Sequence, residues 1–156
     1  MQNINKNLNI LIVFGSTLGK TKHLAELSGR TLEKMGFNVI VKDVFSTQIE
    51  ELFHFDLIIL GCSTWDDGML QYDFRDFFSK FVHYKFHRYK FAVFGVGSRH
   101  YPHFCASADI LSGAVDSVGG KLVCEPLKID LDHDEPIDKC DHEMVEWTKS
   151  LASNLV

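Results

Sequence analysis

The 156-residue chain has no C-x-x-C pair and no apolar run long enough to span a bilayer. Its four cysteines, Cys62, Cys105, Cys124 and Cys140, follow no framework of spacings, which argues against a disulfide-stapled scaffold and for free thiols in a reducing cytoplasm. The N-terminal apolar run stops at Gly15 with no cleavage-like site, so a soluble chain not exported by that route is expected. Basic charge is in deficit. Sixteen Lys and Arg stand against 21 Asp and Glu, a formal net charge of −5, which disfavours general nucleic-acid binding and favours partners with basic patches. Repeats, linkers and low-complexity tracts are also missing. What remains is a chain whose 46% apolar content suffices for one domain burying roughly 70% of its unfolded surface. That domain is expected over residues 8–156, behind a loose polar extension at residues 1–7.

The stretch Leu8–Thr21, LNILIVFGSTLGKT, organises the rest. Leu8 to Phe14 is too continuously apolar for a half-exposed strand and reads as a buried parallel one. It stops at Gly15, crosses the hydroxyl-rich loop Ser16-Thr17-Leu18-Gly19-Lys20-Thr21, and resumes as a helix with Leu24, Leu27, Thr31, Leu32 and Met35 on one face. Such a junction aims backbone N–H groups and a helix dipole at one point, together with three hydroxyls, and so forms an anion hole suited to phosphate. An ordinary hydroxyl-capped turn is the plain alternative. The P-loop G-x-x-x-x-G-K-[ST] does not fit, because Gly15 and Gly19 enclose three residues and no later strand is read as ending in a magnesium-holding Asp. The fingerprint G-x-G-x-x-G is absent from the loop.

Further strands are read at Phe37–Lys42, near an edge; at Leu57–Gly61, central; at Phe91–Gly95; and at Leu122–Ile129, where Pro126 indicates an edge. The helices between them present Leu70, Phe74, Phe77, Phe78 and Phe81, then Ala108, Leu111, Val115 and Val118. Gly36 and Gly119-Gly120 close two of the helices. A last helix starting near Pro136 buries Cys140, Met144, Trp147, Leu151 and Leu155. Lys80–Lys90 interleaves bases with aromatics, which suits single-stranded nucleic acid on one reading and a helix end with its connector on the plainer one. The pattern specifies an α/β fold, a three-layer sandwich around a five-stranded parallel sheet. Ligands then bind beyond the carboxyl ends of the strands, where the loops after strands one, three and four converge. The second and third of these loops carry Trp65 and Tyr101. Two aromatics beside a phosphate hole suit a flat cofactor with a phosphorylated tail, and nucleotides and flavins both qualify.

Gly15-Ser-Thr-Leu-Gly-Lys-Thr21, Gly61-Cys-Ser-Thr-Trp-Asp-Asp67 and Phe94-Gly-Val-Gly-Ser-Arg-His-Tyr101 with Phe104-Cys105 together resemble a short-chain flavodoxin, over nearly the whole chain. The resemblance implies the family's strand order 2-1-3-4-5 and FMN at the switch between strands one and three, a placement that belongs to the family rather than to spacing. It implies that Ser16, Thr17, Leu18, Gly19, Lys20 and Thr21 hold the FMN phosphate with help from Ser63 and Thr64. Trp65 and Tyr101 would then sandwich the isoalloxazine. Asp66, Asp67, Gly68, Gly97, Ser98, Phe104 and Cys105 would meet the ring's polar edge. No catalytic residue and no metal are implied. The implied function is a low-potential one-electron carrier, monomeric and cytoplasmic, that passes electrons from a flavodoxin reductase or other donor to an acceptor enzyme, with no membrane or nucleic-acid partner.

The chain departs from the family's pattern at several positions. Ser98 stands where an acid is frequent, and Arg99 and His100 stand where acidic or neutral residues do; a less negative potential, rising as His100 protonates, is expected from them. Asp66 takes a place where Gly is common, which hinders positive φ. Lys20 replaces a usual Asn and Leu18 a usual hydroxyl. A receiver domain is disfavoured because Gly61-Cys62 stands where its phosphoacceptor Asp would. An FMN-dependent NAD(P)H or quinone reductase of the same superfold is the alternative. His133, Asp134, Cys140, His142 and Glu143 could bind metal but read better as an acidic loop capping the last helix.

Overall fold

The computed structural model describes residues 7–65 and 68–155; of the extension at residues 1–7 read above as loose, residues 1–6 lie outside the described residues. The apolar run becomes β1 (Asn9–Gly15), buried from Ile10 onward. Around it the chain forms α1 (Lys20–Lys34), β2 (Asn38–Asp43), β3 (Leu57–Ser63), α2 (Tyr72–Phe81), β4 (Lys90–Gly97), α3 (Ala106–Ser117), β5 (Lys121–Leu122), β6 (Leu127–Asp130) and α4 (Asp141–Ser153). The sheet is parallel in the order β2-β1-β3-β4-β5, and β6 also pairs with β4. One row of partnered residues, Gly15, Cys62, Gly95 and Lys128, crosses the sheet near its carboxyl edge. This register is why the loops after β1, β3, β4 and β6 emerge side by side. From β1 the chain steps first to β2 and then across to β3, so the order reverses beside β1.

Strand alternation splits the core into two layers, as a sheet covered on both faces requires. Leu11, Val13, Ile58, Leu60 and Val93 face α2 and α3, where Phe74, Phe77, Phe81, Leu111 and Val115 are buried. Ile10, Ile12, Phe14, Ile59 and Phe94 face α1 and α4, where Leu24, Leu32, Met144 and Leu151 meet them. Between those helices the fully buried Ser28 and Thr148 hydroxyls hydrogen-bond at 2.9 Å. Gly61 allows the two central strands to pack against one flat ring, since a Cβ there would stand 2.1 Å from Phe94 Cζ.

Four sequence readings are corrected. The fifth strand is not continuous over 122–129: it is divided into β5 and β6, with Pro126, which has no N–H to give a ladder, between them. The last helix begins at Asp141 rather than near Pro136, whose carbonyl instead accepts from the Lys139 N–H in a turn. Leu70 precedes α2 and bridges Thr64. The acidic stretch does not cap α4; the Glu135 carboxylate accepts from the Asp132 N–H in its own loop, and Asp141 and Glu143 occupy the first turn of α4. In the Lys80–Lys90 segment the aromatics turn inward: Phe86 stacks on Phe53 at 4.3 Å and packs against Phe81 and Phe91. A buried cluster offers no stacking platform to a nucleic acid, so the plainer reading holds.

Between β2 and β3 a 3-10 turn, Ile49–His54, is held by Glu51, which accepts from the Gln48 N–H and from Lys42 Nζ, each at 2.7 Å. The Lys42 ammonium first, and the Gln48 amide second, hold the Glu51 carboxyl below its ordinary 4.5. A lowered folded value stabilises above the unfolded pKa and is lost as pH falls through the folded one. Glu51→Gln is therefore expected to cost about 0.5 to 1 kcal/mol at neutral pH, a range already discounted for partial exposure. In urea unfolding that cost should fade below pH 4.5. An equal cost in strong acid would contradict the assignment.

Candidate functional site

Beyond the carboxyl ends of β1, β3, β4 and β6 lies a crevice of about 610 Å³. Its floor at one end is the junction of β1 and α1. Gly19 takes φ +86° there, a left-handed geometry favourable to glycine, and its N–H donates to Ser16 Oγ at 3.0 Å. Among the described residues no side chain caps α1, and its first turn holds lysines and no acid. That arrangement opposes the dipole preference of a free helix and suits an anion. Ser16, Thr17, Leu18, Lys20 and Thr21 all line the crevice. Thr21 is 1% exposed, whereas Leu18 is exposed at the mouth. Lys20 Nζ donates to the Asp132 carbonyl, so the loop after β1 is tied to the loop after β6.

The loop after β3 contributes Ser63, Thr64 and Trp65. Ser63 Oγ is buried without a hydrogen-bond partner among the described residues, a polar atom awaiting a ligand or water. The Thr64 hydroxyl is committed inward: it donates to Ser107 Oγ at 2.6 Å and accepts from the Ser107 N–H at 3.0 Å, while Ser107 Oγ donates to the Cys62 carbonyl. These bonds bolt the loop to the start of α3, so the Thr64 side chain positions the crevice wall. Trp65 follows at the base of a turn in which its N–H donates to the Met69 carbonyl and its carbonyl accepts from the Gly68 N–H. The residue is 36% exposed and is no core filler. Asp66 and Asp67, assigned above to the ring's polar edge, lie outside the described residues.

Tyr101, 40% exposed, supplies a second aromatic wall from the loop after β4, with Val96, Gly97 and Ser98. Ser98 Oγ accepts from the His100 N–H. Gly68, Phe104 and Cys105, together with Gly19, support the walls without lining the crevice. Phe104 packs under the Arg99 guanidinium at 4.4 Å. Buried Cys105 faces the Gly95 and Ile129 carbonyls, and desolvation pushes its thiol up to about 12; the Cys62 thiol is pushed to the same value by burial. Neither is a thiolate nucleophile at neutral pH.

A fourth wall escaped the sequence reading. Leu131, Asp132 and His133, from the loop after β6, complete the crevice. Their signal was positional: that loop leaves the same edge of the sheet as the other three. Asp132 also gathers two histidines, with His100 Nε2 at 3.3 Å and His133 Nδ1 at 3.1 Å. Burial pushes its carboxyl up, but the His133 backbone N–H and both imidazoles outweigh this and hold it below the usual value. Arg99 in turn lies 3.6 Å from Asp130. Asp132, His133 and Asp134 bring ligand atoms within 4.8 Å of one another on the exposed rim, while Cys140 is buried with its thiol on the Asp130 carbonyl. Two strands do end in Asp, contrary to the sequence reading, at Asp43 and Asp130. Asp43 accepts from the Phe45 N–H, Asp130 takes Arg99, and neither lines the crevice.

A family model described as flavodoxin matches residues 12–142. A flavodoxin of Nitratidesulfovibrio vulgaris is 35% identical over 127 residues, 80% of this chain and 86% of its own length. Another, from Maridesulfovibrio salexigens, is 30% identical over 148 residues, 93% of this chain and 97% of its own. Among solved structures, oxidised flavodoxin 2 from Bacillus cereus superposes with a TM-score of 0.81 at 32% identity, covering 94% of this chain and 97% of that one.

Proposed function

Since the chain belongs to the flavodoxin family, whose members bind FMN and transfer electrons, we propose that it is a low-potential one-electron carrier with FMN seated in the crevice, working between a reductase or other donor and an acceptor enzyme. The observation that carries this reading is the joint lining of one crevice by an uncapped helix start, by Ser63, whose buried hydroxyl has no partner among the described residues, and by two half-exposed aromatics. Its size lies within the usual range for small-molecule sites. Bound FMN supplies the redox chemistry, and the protein supplies its binding, orientation and electrostatic surroundings.

Ser16, Thr17 and the amides of Lys20 and Thr21 would hold the phosphate, aided by Ser63. Hydrogen bonds to a charged group are worth roughly 1.5 to 3 kcal/mol each, against an association cost of order 4 to 15 kcal/mol. Tight retention therefore needs the aromatic walls as well. Trp65 and Tyr101 would flank the ring and shield it from water; Gly97 and Ser98 would present backbone groups to its edge. Lys20, held by the Asp132 carbonyl, adds positive charge beside the phosphate loop. The cations after β4 act less than their count suggests, because Arg99 sits on Asp130 and His100 on Asp132. The rise in potential expected from them is correspondingly small.

Titrating the purified protein with FMN should quench flavin fluorescence at one equivalent. Mixing the loaded protein with NAD(P)H should leave the flavin oxidised until a reductase is added. Rapid direct reduction would favour an FMN-dependent reductase instead.

A further inference from the structure

The Trp65 ring has two faces, and the crevice needs one of them. Tyr72 and Arg75 line a second cavity, of about 570 Å³, in which Trp65 takes no part. The Arg75 guanidinium carbon lies over the indole, 4.8 Å from its centroid, and the Tyr72 ring lies alongside at 6.3 Å, inclined by 18°. Arg75 reaches the indole from the first turns of α2 and is half-buried, while its Nε donates to the Leu70 carbonyl at 2.9 Å. Leu70 bridges Thr64, and the neighbouring Met69 carbonyl accepts from the Trp65 N–H. One side chain thus ties the return leg of the turn and the indole to a helix packed on the core.

We infer that Arg75 is a positioning residue for the cofactor: its guanidinium braces Trp65 from behind and sets a fixed positive charge against the ring that would stack on the flavin. The inference rests on the reading of the crevice as an FMN site. Bracing lowers the entropy lost when the indole is immobilised by its guest, so it strengthens binding in every redox state. The charge acts differently, because a cation on the outer face favours the more electron-rich, reduced ring on the inner face. Lysine would keep the charge but, as a compact ammonium, could not lie flat on the indole. The two contributions are therefore separable.

Arg75→Gln and Arg75→Lys should each raise the Kd for oxidised FMN by about threefold or more, the scale of a partly desolvated cation–π contact. Arg75→Gln alone should also lower the reduction potential. A threefold change in the affinity ratio of reduced to oxidised FMN corresponds to about 28 mV for one electron. In a Trp65→Ala background the glutamine change should leave the Kd for oxidised FMN unaltered, because no indole is left to brace, whereas the lowering of the potential, a through-space effect of the charge, should remain. Wild-type Kd and potential in Arg75→Gln, or a Kd effect that persists without Trp65, would overturn the inference. FMN-free protein separates the two readings: with Trp147 replaced by Phe, Arg75→Gln should shift the remaining tryptophan emission. If wild-type protein fails to bind FMN but that shift occurs, the cofactor reading fails and the brace stands; no shift refutes the brace.

Discussion

Gly61→Ala should cost about 3 kcal/mol of stability, the upper end of the usual penalty for forcing a methyl into a packed core. The new Cβ would stand 2.1, 2.4 and 2.8 Å from three atoms of the Phe94 ring. That ring has nowhere to go. It is fully buried, lies on the adjacent strand directly opposite Gly61, and meets Trp147 edge-on at 6.0 Å. For a chain of this size the loss corresponds to a Tm lower by roughly 6 to 12 °C, readable by circular dichroism on cofactor-free protein. Pairing the change with Phe94→Leu should recover part of the loss, because the ring is what the methyl meets, and a double-mutant cycle would report the coupling. Stability within about 0.5 kcal/mol of wild type would show that the strands separate easily here. In that event the floor of the crevice would be softer than its packing implies.

The same packing explains what could be read from residues alone. β1, β3 and β4 are legible because they are buried on both faces, and such strands must be written in continuous apolar residues; their parallel direction followed from the need for crossover helices, whereas their order came from the family resemblance. The edge was less legible. Leu122 to Ile129 alternates weakly and contains Pro126, and composition cannot say that two short pieces will pair with β4 on either side of a break. Pro136 suits a helix start by propensity, yet the helix waits for Asp141, where Met144 can reach the core. Trp65 and Tyr101 were found because large aromatics in polar loops demand an explanation. Leu131, Asp132 and His133 were not, since an acidic loop has an ordinary reading as a helix cap. Their part in the crevice depends on register, the pairing of Gly97 with Asp130, which no local pattern announces. The inward bonds of Thr64 to Ser107 span 43 residues and were equally invisible.

Trp65→Ala should weaken FMN by about 2 to 3 kcal/mol, roughly 30- to 160-fold in Kd, while leaving the fold in place. The estimate combines the apolar ring face that the cofactor would cover with the extra worth of an aromatic stack. Folding should suffer little, because Trp65 is 36% exposed and its turn is held by backbone bonds between Trp65, Gly68 and Met69 that alanine can keep. Riboflavin, which lacks the phosphate, makes the argument sharper. If the crevice grips ring and tail with different walls, the fold-loss on Trp65→Ala should be the same for riboflavin and for FMN. Added salt should weaken FMN much more than riboflavin, since only the tail is charged. Trp65→Phe should keep most of the affinity by keeping a ring. Undiminished FMN affinity in the alanine variant would mean that the flavin does not stack on this indole, and the crevice would then need another guest. A loss confined to FMN would place the indole against the phosphate, at the opposite end of the site from the one its loop after β3 implies.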